Sequence, residues 1–231
     1  MSGEPVVAPS GLRATRTAPA VARGGVVLVP DGQGSTPGSE SAAAQLVDAG
    51  FVVVVPDLAW RTPRQPPPEG DPGYGLSDPE AIADLVAARE LLPPGARFVV
   101  GVGLGGLYAR VAACAVMGLA GAVGFGGRVS YSGVNAKHPI QPLDLLPGLS
   151  CPLQCHFDIH DAAAPPAHVD ELERRLAGTT QPWQVFRYGN AADPDVAPLL
   201  GAARWTGRAP DARTAWARTR SFLLHLAADR A

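Results

Sequence analysis

Gly101-Val102-Gly103-Leu104-Gly105-Gly106 stands between the apolar run Arg97-Phe98-Val99-Val100 and the helix-like stretch Leu107-Tyr108-Ala109-Arg110-Val111-Ala112-Ala113-Cys114. A strand enters the glycines and a helix leaves them. Sharp strand-to-helix turns of the form Gly-x-nucleophile-x-Gly project the reactive atom of their central residue, and here that residue is Gly103. Glycine tolerates the strained backbone of such a turn and leaves the volume of a side chain for substrate or water. It offers no atom to attack a carbonyl, so acyl-enzyme chemistry at position 103 is excluded. Gly101, Gly103 and Gly106 also satisfy Gly-x-Gly-x-x-Gly. In a dinucleotide-binding unit that motif opens the first βα turn and is followed some 20 residues later by an acidic residue for the ribose. Here it falls in the third βα unit, and Gly118 to Gly127 contains no Asp or Glu. No cofactor is implied.

Outward from this turn, strands and helices alternate. Gly25 to Pro30 is an apolar strand with Asp31-Gly32-Gln33-Gly34 turning at its carboxyl end, where open α/β sheets bind ligands. Ser39 to Ala49 reads as a helix with Gly50 beyond it, and Phe51 to Val55 as a buried strand. Asp57 to Ser77 is long, rich in proline, and holds Trp60, Arg61 and Tyr74; it reads as a lid or pocket wall. Asp78-Pro79 is expected to cap a helix that runs to Leu92 and stops at Pro93-Pro94-Gly95. On the other side come a strand from Ala120 to Gly127, an irregular excursion from Arg128 to Leu149, and a strand from Cys151 to Phe157. A helix from Pro166 to Ala177, a strand from Trp183 to Tyr188 and a final helix from about Pro210 to Ala228 complete the chain. Residues 1–23 read as an arm lying on the domain or partly disordered. Residues 24–231 read as one α/β domain with a mostly parallel sheet covered by helices on both faces.

Composition sets the outer limits. The chain has 231 residues, 46% hydrophobic and 17% charged, with a net charge of −2, so no basic field attracts nucleic acid. The apolar runs are of strand length, short of the roughly 20 residues that cross a bilayer, and the N-terminus lacks the pattern of a secretory signal. A cytoplasmic protein that binds a small molecule is expected. Its oligomeric state is not legible. Cys114, Cys151 and Cys155 read as free, mostly buried thiols, and no Asp-x-Asp cluster suggests a metal.

From Gly24 onward the sequence resembles the dienelactone hydrolase family, which implies an α/β-hydrolase fold. The most specific match is Cys151-Pro152-Leu153-Gln154-Cys155-His156-Phe157-Asp158-Ile159-His160-Asp161-Ala162-Ala163-Ala164-Pro165-Pro166, similar to the family's segment around its acidic triad residue. Gln141-Pro142-Leu143-Asp144-Leu145-Leu146-Pro147 before it and Pro56-Asp57-Leu58 also match. The resemblance maps the elbow cysteine, the triad aspartate and the triad histidine onto Gly103, Asp161 and Asp193. Tyr188-Gly189-Asn190-Ala191-Ala192-Asp193 stands where the histidine loop is expected. The acidic residue after the first core strand, which helps control the family's cysteine, falls on Asp31.

With no elbow nucleophile, the backbone and the carboxylates remain. Leu104 N–H and one amide of the Gly32 turn are expected to form an oxyanion hole at Gly103. Asp31, Asp161 and Asp193 are expected to crowd one pocket, where like charges raise at least one pKa and leave an acid/base pair. His160 is a candidate base, whereas His156 reads as a packed strand residue. Trp60, Arg61, Tyr74 and Tyr108 are candidates for contact with the substrate. This set suits a cyclase, isomerase or lyase acting on a carbonyl compound, as in bacterial specialised metabolism. The alternatives are a catalytically silent binding protein and a hydrolase with a relocated nucleophile or an activated water.

Overall fold

A computed structural model describes residues 3–31, 37–61, 75–189 and 210–230. Its strands are β1 (Glu4–Val7), β2 (Arg13–Thr17), β3 (Gly25–Val29), β4 (Val52–Pro56), β5 (Arg97–Val102), β6 (Gly121–Phe125), β7 (Leu153–Asp158) and β8 (Trp183–Tyr188). Its helices are α1 (Pro37–Asp48), α2 (Asp78–Glu90), α3 (Leu104–Ala115), α4 (Pro166–Leu176) and α5 (Pro210–Ala228), with a short 3₁₀ segment at Pro142–Gly148.

The eight strands form one sheet in the order β1-β2-β4-β3-β5-β6-β7-β8. From β4 to β8 every pairing is parallel, as βα alternation requires. The residues read as an N-terminal arm contribute β1 and β2, which pair antiparallel with each other, and β2 pairs antiparallel with β4. Their exposed, mixed residues lack the continuous apolar run of a central strand, because an antiparallel pair at the margin of the sheet need not be buried on both faces.

Period-2 alternation within the strands builds a core on each face of the sheet. Val27, Val29 and Val99 face the layer of α2, α3 and α4, with Leu85, Ala112 and Leu172 in the same cluster. Val26, Leu28, Phe98 and Val100 face α1 and α5, with Leu46, Trp216 and Leu223. The cap of α2 is Ser77 rather than Asp78: its hydroxyl accepts from Glu80 N–H, and the Glu80 carboxylate accepts from Ser77 N–H. Asp78 and Pro79 occupy the first two helical positions, where neither needs an intrahelical partner for its backbone nitrogen. No helix among the described residues is long and apolar enough to cross a membrane.

Candidate active site

Parallel register brings the site together. Val29 of β3 pairs with Gly101 of β5, so two residues further along each strand Asp31 and Gly103 emerge side by side at the carboxyl edge. Val102 pairs with Phe125 of β6, and Gly103 N–H donates to Phe125 O at 2.7 Å. Gly103 has φ +59° and ψ −121°, a conformation that L side chains rarely adopt. The surrounding glycines have a different reason. A Cβ on Gly106 would stand 2.6 Å from Gly126 O, and one on Gly105 would overlap Val29 O. The elbow helix crosses the strand ends at backbone contact, and only hydrogen fits between them.

The volume left by the missing side chain at 103 is not open to substrate or water. A Cβ built on Gly103 would overlap Oδ1 and Cγ of Asp31 and lie 2.5 Å from its Oδ2. Leu104 N–H, expected as an oxyanion-hole donor, donates to Asp31 Oδ1 at 2.5 Å. A carboxylate is thus held by a short charge-assisted bond at the positive end of α3, in the place where the turn would hold its reactive group. Asp31 is half-buried and Gly103 fully buried.

The other expected site residues divide. Asp161 lies in the turn after β7, where its Oδ1 accepts from Ala163 N–H at 2.9 Å, the geometry of an Asx turn. It is also near enough to the buried Arg110 to act on its charge. His160 is exposed, and its backbone N–H donates to Oδ1 of buried Asp158 at 2.9 Å. Trp60 and Arg61 both bond a neighbour. Trp60 Nε1 and Arg61 both donate to Asp84 Oδ2, at 3.1 and 2.5 Å, and the Arg61 guanidinium lies 4.4 Å over the Trp60 ring. Burial raises the Asp84 carboxyl above its ordinary range, against the pull of Arg61 and Trp60. Tyr108, on the elbow helix, is fully buried in the core. Gly32, Tyr74 and Asp193 lie outside the described residues, as does most of the expected lid. Of the three carboxylates expected to crowd one pocket, Asp31 lies at the elbow and Asp161 in the turn after β7.

His156 is packed, as expected. Its ring stacks between Phe125 and Phe186. The Tyr188 hydroxyl accepts from Arg218, so it gives its own proton to His156 Nδ1 at 2.8 Å, while Nε2–H donates to Gln154 Oε1 at 2.9 Å. Desolvation, helped by the Arg218 charge, pulls this histidine down to about 3. Cys155 is fully buried, and that burial pushes its thiol up to about 11, away from the thiolate form.

Two features went unread in the sequence. Arg110 on α3 is 4% exposed and donates to the carbonyls of Gly126 at 3.0 Å, Gly127 at 3.0 Å and Arg128 at 2.6 Å. It clamps the turn after β6 against the elbow, and burial depresses its pKa. The only hint was one charge inside an otherwise apolar helix. The second feature is the buried group Asp78, Tyr131 and His138. Tyr131 OH donates to Asp78 Oδ1 at 2.8 Å, and His138 Nδ1 lies 2.9 Å from the same oxygen. This ties the irregular excursion to the start of α2. No group of three or more His, Cys, Asp or Glu among the described residues is arranged to hold a metal ion.

The family model for the dienelactone hydrolase family matches residues 11–226. The chain belongs to the dienelactone hydrolase family. A carboxymethylenebutenolidase of Rhodococcus opacus is 29% identical over 204 residues, covering 85% of this chain and 79% of that protein. Among solved structures, a protein from Klebsiella pneumoniae assigned as a dienelactone hydrolase superposes with a TM-score of 0.76 at 18% identity, covering 96% of this chain and 97% of its own. A dienelactone hydrolase-like promiscuous phosphotriesterase from metagenomic libraries gives 0.68 at 17%, with 97% and 98% coverage. An esterase of Thermogutta terrifontis gives 0.70 at 14%, with 97% and 94% coverage. At these identities the structural likeness establishes the α/β-hydrolase fold. Within the dienelactone hydrolase family, this chain combines an elbow glycine with a carboxylate from the neighbouring strand end.

Proposed function

We propose that this family member is an acid/base catalyst acting on a carbonyl-containing small molecule, with Asp31 as the base and no elbow nucleophile. The supporting observation is the Asp31 carboxylate filling the side-chain space at Gly103 with Oδ1 on Leu104 N–H. A carboxylate there takes a proton from the carbon next to a carbonyl. On protonation it loses its charge, and its bond to Leu104 N–H drops from the charge-assisted class to the neutral one, about half as strong. The amide is then released to the enolate oxygen that forms at the same moment. Isomerisation, cyclisation and elimination all begin with this step and need no covalent intermediate. Asp161 and His160, on the loop after β7, are the groups this reading makes available for reprotonation.

The test follows deuterium. Incubation with a panel of ketones, 1,3-dicarbonyl compounds and unsaturated lactones in D₂O, read by proton NMR, is expected to show protein-dependent exchange at the α-carbon. Asp31→Asn, which keeps an acceptor for Leu104 N–H, is expected to lower that exchange by about a hundredfold or more. Exchange that survives Asp31→Asn removes Asp31 from the reaction. A second reading, hydrolysis of a lactone by water activated by the same carboxylate, is favoured by the Rhodococcus opacus relative. It is read in the same samples as release of the hydroxy acid.

A further inference from the structure

We propose that Asp31 is also a covalent nucleophile, toward a saturated carbon that bears a leaving group. The inference rests on Asp31 being the reactive group of the elbow, and goes beyond its use as a base. Its two oxygens stand in different places. Oδ1 accepts from Leu104 N–H, the amide that follows the elbow residue, and Oδ2 lies 2.5 Å from the position a Cβ at 103 would take. Oδ1 and Cγ lie nearer still to that position, so the carboxylate as a whole stands where the elbow would hold its reactive group, with Oδ1 engaged by the amide and Oδ2 as its second oxygen.

The chemistry selects the electrophile. A carboxylate that adds to an ester carbonyl forms a tetrahedral adduct from which the carboxylate is expelled more readily than the alkoxide, so nothing is gained. At a saturated carbon the outcome differs. Oδ2 supplies an electron pair to carbon, the carbon–halogen bond breaks, halide leaves with that pair, and Asp31 becomes an alkyl ester. The ester carbonyl is then Cγ=Oδ1, already placed on the Leu104 amide. Water attacks Cγ, the negative charge that develops on Oδ1 is stabilised by Leu104 N–H, the alcohol departs, and the carboxylate is regenerated with one proton released. The same Leu104 amide therefore holds Oδ1 in the carboxylate and in the ester. Gly103 is what permits it, because any side chain at 103 would occupy the carboxylate's space.

The probe is 1-bromobutane with the intact protein. Mass spectrometry of quenched samples is expected to show one butyl group per chain, located by peptide mapping on Asp31 and lost in Asp31→Asn. In a single turnover in H₂¹⁸O the butanol is expected to carry ¹⁶O, and the ¹⁸O to appear in the Asp31 carboxylate. Butanol labelled with ¹⁸O and an unlabelled Asp31 would show water activated by a base, and overturn the covalent role. So would bromide release no faster than that of Asp31→Asn with no adduct on Asp31. The α-carbon deuterium exchange measured separately decides whether Asp31 as a base stands or falls, independently of either result.

Discussion

Replacing Gly103 with alanine puts a methyl carbon where the Asp31 carboxylate sits, and the cost is calculable from two terms. The first is the backbone: φ is +59°, and an L side chain in that half of the map costs about 1–2 kcal/mol. The second is the carboxylate, which must leave and give up its bond from Leu104 N–H; a hydrogen bond to a charged group contributes about 1.5–3 kcal/mol. Gly103→Ala is thus expected to cost about 2.5–5 kcal/mol, and Asp31→Ala alone about 1.5–3 kcal/mol. In the double variant the hydrogen bond is lost only once. Its cost is expected to stay near that of Gly103→Ala, a coupling of about 1.5–3 kcal/mol relative to simple addition. Urea unfolding of the four proteins near neutral pH, followed by tryptophan fluorescence, measures each term. Costs that add to within about 0.5 kcal/mol would show that the two residues do not compete for one space, and would refute the reading of the elbow.

Two further outcomes follow from buried groups outside the elbow. His156 takes a proton only near pH 3 in the fold, against an ordinary value of 6.5, so the unfolded chain binds the extra proton between those values. Stability is therefore whole above pH 6.5 and falls as pH drops toward 3, by up to about 1.4 kcal/mol per pH unit from this group. Urea midpoints at pH 7, 6, 5 and 4 are expected to fall less steeply in His156→Gln; equal slopes would contradict the assignment. Arg110→Met strips a donor from three buried or half-buried carbonyls. At about 1 kcal/mol or more for each, a loss of about 3 kcal/mol is expected in thermal or urea unfolding. Arg110→Lys is expected to recover only part of it, because an ammonium lacks the planar fork. A loss under 1 kcal/mol for Arg110→Met would mean that the clamp does not hold the turn.

Much of the fold is legible locally. The apolar runs at 25–29, 52–56, 97–102 and 121–125 announce parallel strands because a sheet covered on both faces has no polar side to alternate with. The glycines at 101, 105 and 106 announce the elbow because backbone must meet backbone there. β1 and β2 were not legible, since an antiparallel pair at the margin of the sheet needs no continuous apolar run. Among the site residues, Trp60 and Arg61 were drawn to a ligand by their residue types. The structure gives both to Asp84, a carboxylate whose burial no helical pattern reveals. Tyr108 is buried with its helix: the elbow helix is buried nearly all round, so its period says nothing about which side faces the site.

The sequence by itself determined that residue 103 cannot be a nucleophile, since glycine has no side chain on any backbone. It also determined the strand–turn–helix order that makes 103 the elbow. What fills the missing side chain's place was decided only by tertiary structure. Leu104 and Asp31 are 73 positions apart in the chain, and they meet because β3 and β5 pair in parallel, with Val29 opposite Gly101. That register depends on side-chain packing across both faces of the sheet, which no local stretch encodes.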